Sequence, residues 1–163
     1  MESVISHLPL YTGLSAACLI LIQVALMFSV IKTRGELNIF IGHGDSEALE
    51  RKIRAHGNFT ENVPTFLVGL LLLELIIGSG LWVAILGAVV VIARLAHALA
   101  LIANSGVTAG RLIGTIGTVI PLIAIAGYLI MLFVRNLLSK IKVGDGALFQ
   151  EEQWFIDSVT SAE

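Results

Sequence analysis

The chain has 163 residues, of which 56% are hydrophobic and 13% charged, with a net charge of −2. Soluble domains carry roughly 25% charged residues, so this composition, with a mean hydropathy of +0.93, marks an integral membrane protein: one domain of about four spans. The charge balance gives no basic footprint for nucleic acid, and a single cysteine, Cys18, excludes an intrachain disulfide or a multi-cysteine metal cluster within one chain.

The first apolar stretch lacks the Lys/Arg-rich start of a signal peptide and is too long for one, so a retained span is predicted over residues 10–31. Gln23 interrupts it and is expected to hydrogen-bond a neighbouring helix. Lys32, Arg34 and Glu36 mark the exit to water. The connection that follows contains Gly42-His43-Gly44-Asp45, which has neither the spacing nor the lysine of a phosphate-binding loop. Asp45 or Ser46 suits the N-cap of a second helix, with Glu47 and Glu50 favourable in its first turns. That helix is predicted to run from about 46 to 77, with its span over 54–77. Pro64 inside it frees the Thr60 carbonyl and is expected to kink it. Gly78-Ser79-Gly80 is a tight turn, so the third span, 81–103, should return antiparallel.

A fourth span is predicted over 112–134, where Gly110, Gly114 and Gly117 permit close helix approach and Pro121 bends the chain. The expected architecture is all-α: a four-helix membrane bundle over 1–139 and a separate tail over 140–163, with a turn at Asp145-Gly146. Trp154 and Phe155 in the tail suit the membrane interface or a partner. Six Lys/Arg near the span ends on one side (Lys32, Arg34, Arg51, Lys52, Arg54, Arg111) face three on the other (Arg135, Lys140, Lys142). That bias places both termini outside the cytoplasm.

Chemistry concentrates at the start of the second span. Arg54, Asn58 and Glu61 lie at i, i+4 and i+7, within about 60° of one helix face. The apolar run after them, 63–77, is shorter than the roughly 20 residues that cross a bilayer, so some polar turns must reach its inner boundary. Ionisable groups there face a bundle interior or a wet cavity. The glycine turn sets the hairpin register. Glu61 lies 17 residues before Gly78 and His97 17 after Gly80, with Arg94 nearby on the same face as His97. An arginine at that depth needs a carboxylate, so Arg94 and Glu61 are expected to form a structural ion pair. Glu74, near the other end, is expected to snorkel outward or to meet a neighbouring subunit. Arg111 falls in the first turn of the fourth helix, where the macrodipole already favours an anion and would favour a thiolate over a thiol. Arg54, Arg111 and Arg34 offer sites for anionic groups, and Glu61 and Asn58 for an ammonium or amide. That inventory suits a small zwitterionic peptide; composition does not name it.

Arg54-Ala-His-Gly-Asn58-Phe-Thr-Glu61-Asn-Val-Pro64, with four spans and the later Ala93-Arg94-Leu95-Ala96-His97, resembles the family of membrane-associated proteins in eicosanoid and glutathione metabolism (MAPEG), in the form of a bacterial member. The resemblance covers about residues 30–133. It implies homotrimers that bind glutathione as co-substrate between adjacent subunits, in a bacterial inner membrane. It implies that Arg54, Asn58, Glu61 and His97 contact glutathione, that Arg34 or Lys32 reaches it from the next subunit, and that Arg111 stabilises its thiolate. The activity implied is a glutathione transferase or peroxidase acting on apolar small molecules or lipid hydroperoxides that enter from membrane lipid. No metal is implied. Leu101 and Leu112 stand where many eukaryotic members carry polar groups, which points away from prostaglandin or leukotriene synthesis. The alternative is a non-catalytic subunit that joins a larger membrane complex through the C-terminal tail.

Overall fold

A computed structural model describes residues 8–106 and 108–160, with side chains described to Ile141. Four helices account for most of them: α1 (Leu10–Leu37), α2 (Glu47–Ile77), α3 (Leu81–Ala103) and α4 (Ala109–Thr160). Each is long and apolar enough to cross a membrane. The shortest, α3, has 23 residues, and at about 1.5 Å per residue it exceeds a hydrocarbon core of about 30 Å. The protein is an all-α, multi-pass integral membrane protein. Helices α1–α3 and α4 as far as Ile125 form one compact unit, and α4 from Ala126 onward forms another.

The helix boundaries have local causes. Ser46 caps α2, its Oγ accepting from the Leu49 N–H at 3.3 Å. Asp45 sits at φ 61° and serves the turn before the cap, not the cap itself. Gly78 ends α2 at φ 82°, ψ 169°, a backbone region that residues with a Cβ avoid. The chain then reverses into α3 within three residues, as the Gly78-Ser79-Gly80 sequence requires. Pro64 lies inside an unbroken α2. One turn earlier the Thr60 hydroxyl folds back to donate to the carbonyls of His56 (3.0 Å) and Gly57 (2.8 Å).

The tail departs from expectation. Helix α4 continues through Asp145-Gly146 to Thr160, with no turn at that pair. A mid-helix glycine costs only about 1 kcal/mol relative to alanine, and no proline follows, so one turn-prone pair does not outweigh the helix formers around it.

The core is built on α2. Phe59, Phe66 and Leu70 are fully buried, as are Leu19 of α1 and Val83 and Val90 of α3. Small residues let the helices close on one another. A Cβ at Gly87 would collide with the Ser15 hydroxyl of α1, and one at Gly114 would lie 2.8 Å from the Ala93 carbonyl oxygen. Outside this core, the helices expose many leucines, isoleucines and phenylalanines, as lipid-facing helices do. Gln23 makes the expected interhelical contact, its amide 3.0 Å from His56 Nε2.

Glu74 does not reach outward. It is 2% exposed, and its carboxylate accepts from the backbone N–H of Thr12 (2.7 Å) and Tyr11 (3.1 Å) and from the Ser79 hydroxyl (2.6 Å). Helix α1 begins after Pro9, which offers no side-chain cap. The first N–H groups of that helix would be stranded at the membrane edge, and Glu74 supplies their acceptors from another helix, at the end where the dipole favours a negative charge. Glu74→Ala is expected to lower stability by about 2 kcal/mol or more, since three donors lose a charged acceptor. Glu74→Gln should fall between the two, because its amide keeps one oxygen. Thermal unfolding in detergent checks the order.

Candidate functional site

Three helices meet around an open cleft of about 780 Å³. Its α2 wall carries Arg54, Asn58 and Glu61, so the i, i+4, i+7 face opens onto it along its whole length. The α3 wall carries His97 and Leu101, and Arg111 enters from the first turn of α4. Arg54, Asn58 and Glu61 on α2, His97 on α3 and Arg111 on α4 therefore line one cavity, and the register of the glycine turn accounts for the α2–α3 part of it.

Helix α4 is seated by glycine. A Cβ at Gly110 would lie 2.9 Å from the Ala100 Cβ, and one at Gly117 would lie 2.8 Å from the Ala93 Cβ. This close approach brings the Arg111 backbone carbonyl to 3.1 Å from His97 Nδ1. A carbonyl only accepts, so Nδ1 carries the proton, and whenever the ring is neutral Nε2 is its acceptor. Thr115 donates to the same carbonyl at 2.9 Å. The Arg111 guanidinium donates through Nη1 to the carbonyls of Ser105 (3.1 Å) and Gly106 (2.8 Å), which ties the α3–α4 loop to the cleft. Its remaining N–H groups make no hydrogen bond among the described residues.

The expected Arg94–Glu61 ion pair is not formed. Arg94 is 3% exposed and its Nη2 donates to Asn58 Oδ1 at 2.7 Å. Among the described residues it has no carboxylate partner. The reason is angular. Asn58 and Glu61 sit at opposite edges of the polar arc, about 60° apart. The Asn58 edge turns toward α3 and is half-buried, while Glu61 is exposed on the cleft. Arg34 is also elsewhere within this chain. Its Nη1 donates to the carbonyls of Ile39 (3.2 Å) and Gly42 (2.9 Å), where it braces the α1–α2 loop.

Arg51 joins the site without having been expected there. Its Nε donates to the Ile102 carbonyl at 3.2 Å and its Nη1 lies 3.3 Å from Glu47 Oε2, on the rim of the same cleft. Arg51 satisfies a carbonyl at the end of α3 and joins α2 to α3 there. The signal was present, since Arg51 stands three residues before Arg54 and so continues the same face.

The chain's relationships agree with this arrangement. The model of the MAPEG family matches residues 12–131, most of the chain. The chain belongs to the MAPEG family. No curated protein and no solved structure gave a significant match. Membership supports a function of the membrane glutathione-transferase and eicosanoid-metabolism kind. The matched region includes every helix segment that lines the cleft of this MAPEG protein.

Because Arg94 has only donors, it needs an acceptor at position 58. Asn58→Ala is expected to destabilise the fold by about 2–4 kcal/mol by leaving a buried guanidinium without one. Asn58→Asp keeps an acceptor and adds an opposite charge, so its unfolding midpoint should equal or exceed that of the parent chain. Paired thermal denaturation curves distinguish the two.

Proposed function

We propose that the protein is a membrane-bound glutathione transferase with peroxidase capacity toward lipid hydroperoxides. The observation that carries this reading is the convergence of Arg54, Asn58, Glu61, His97 and Arg111 on one cleft, within a chain of this family. Glutathione has two carboxylates, one ammonium and a thiol. The donor set matches: arginine forks suit carboxylates, Glu61 suits the ammonium, and the volume falls in the range of small-molecule sites.

In this reading bound glutathione supplies a thiolate that attacks an electrophilic carbon and displaces its leaving group, or attacks the terminal oxygen of a hydroperoxide. The second attack breaks the O–O bond, releases the alcohol and leaves a glutathione sulfenic acid, which a second glutathione converts to the disulfide and water. The protein's part is electrostatic and positional. Arg111 offers its free N–H groups and the positive end of α4 to the sulfur, which favours the charged form. Arg54, Asn58 and Glu61 fix the peptide so that the sulfur faces the apolar side of the cleft, where Leu101 stands. Apolar acceptors arrive from the lipid-facing surface. We place this cleft on the cytoplasmic side, on the Lys/Arg bias, and take the working form to be a homotrimer in which Arg34 of one subunit reaches toward the neighbour's cleft.

Titration with glutathione should produce a saturable thiolate absorbance in the near ultraviolet. Arg111→Ala should abolish that signal and retain much of the binding. Arg54→Ala should weaken binding at least about tenfold, the equivalent of about 1.4 kcal/mol. Binding without any thiolate signal in the parent protein would reject catalysis of this kind and favour a non-catalytic subunit.

A further inference from the structure

The structure holds a buried cation with an unusual partner. Arg94 is 3% exposed, its Nε has no hydrogen-bond partner, and its one hydrogen bond among the described residues is to a neutral amide, Asn58 Oδ1 at 2.7 Å. A buried guanidinium that served stability alone would be expected to meet a carboxylate. Glu61 lies one turn away on the same helix and is directed elsewhere, into the cleft.

The chemistry of the pair determines what the cleft presents. An asparagine amide rotated by half a turn exchanges its oxygen and nitrogen, and the two orientations are nearly equal in shape. Arginine removes that equality, because it has only donors. Facing Arg94, Asn58 must present Oδ1, and its Nδ2 must then point to the other side. Asn58 lines the cleft. Its Nδ2 makes no hydrogen bond among the described residues and is not among the buried unpartnered atoms. The amide group at position 58 is therefore held as a donor toward whatever occupies the cleft.

We infer that Arg94 is a positioning residue that locks Asn58 as a hydrogen-bond donor to a carboxylate or carbonyl oxygen of the bound ligand. Its uncompensated charge, just behind the amide, adds to the preference for an anionic group at that point. This inference rests on the glutathione reading for the identity of the ligand. What it adds is the direction of one hydrogen bond and the residue that sets it.

The test uses the full chain purified in detergent, with glutathione as probe, and compares calorimetric affinity with the unfolding midpoint for Asn58→Asp, Arg94→Lys and Arg94→Met. Asn58→Asp keeps the contact to Arg94 and replaces the donor with an acceptor. It should lose at least about tenfold in affinity while its midpoint stays at or above that of the parent, a split that a purely structural role would not produce. Arg94→Lys, also a pure donor, should stay within about threefold of the parent in affinity, and Arg94→Met should match the Asn58→Asp loss. If Arg94→Met does not fold, the Asp and Lys variants still decide. Unchanged affinity in Asn58→Asp, or a tenfold loss in a folded Arg94→Lys, overturns the inference and leaves the glutathione reading standing. Failure of the parent chain to bind glutathione overturns both.

Discussion

Within a hydrocarbon medium every polar group must find its partner inside the protein, and the polar chemistry of this chain is arranged around that demand. At one end of the bundle the first N–H groups of α1 have no cap of their own, and Glu74 reaches across from α2 to accept them. At the other end the C-terminal carbonyls of α3 and its following loop are met by Arg51 and Arg111. In both places a helix terminus is satisfied by a charged side chain from a different helix. Tertiary packing and backbone satisfaction are thus the same set of contacts. The charges that close the bundle near Arg111 also line the cleft, so the site is made from groups the fold already needs.

Glycine sets how close those groups come. The α3–α4 approach at Gly110, Gly114 and Gly117 leaves no room for a Cβ. Only at that separation does the Arg111 carbonyl come within hydrogen-bond distance of His97. One contact thereby settles two things. It fixes the tautomer of His97, and it anchors the residue whose guanidinium enters the cleft. The hairpin glycines act at longer range. A three-residue reversal leaves almost no freedom of register, so residues equally distant from the turn on α2 and α3 lie at similar depths.

That register was the most legible part of the site. Helix period and distance from the turn were enough to bring Arg54, Asn58, Glu61 and His97 toward one place, because both are properties of backbone geometry. Arg111, on α4, was singled out by its position at a helix start and not by that register. Pairing was less legible. The choice between Asn58 and Glu61 as the partner of Arg94 depends on a rotation of tens of degrees about the α2 axis, and charge complementarity alone favours the wrong residue. The role of Glu74 was hidden for another reason. Besides the nearby Ser79 hydroxyl, its partners are backbone N–H groups 62 and 63 residues away, and sequence identity carries no record of an unsatisfied backbone donor beyond the missing cap at Pro9. The tail was misjudged because Asp145-Gly146 is a turn signal only where the flanking segments have reason to reverse.

The disagreement over Arg94 bears most on how the site works. Had Arg94 taken Glu61, the polar arc of Arg54, Asn58 and Glu61 would have lost the carboxylate it turns to the cleft and kept an amide free to rotate. With Asn58 taken instead, Glu61 remains as an acceptor for a cationic group, and Asn58 is restricted to donating. The two edges of one polar arc then offer opposite hydrogen-bond characters about 60° apart. A ligand that carries both an ammonium and a carboxylate meets each on its own side. A ligand of uniform charge would face one mismatched edge in any orientation. Discrimination of this kind comes from leaving the wrong groups unpaired, and it requires that neither edge be able to change its character. A buried arginine opposite a neutral amide meets that requirement for one edge at a cost in stability, and the Glu61 carboxyl group, which has no amide nitrogen to turn toward a ligand, meets it for the other.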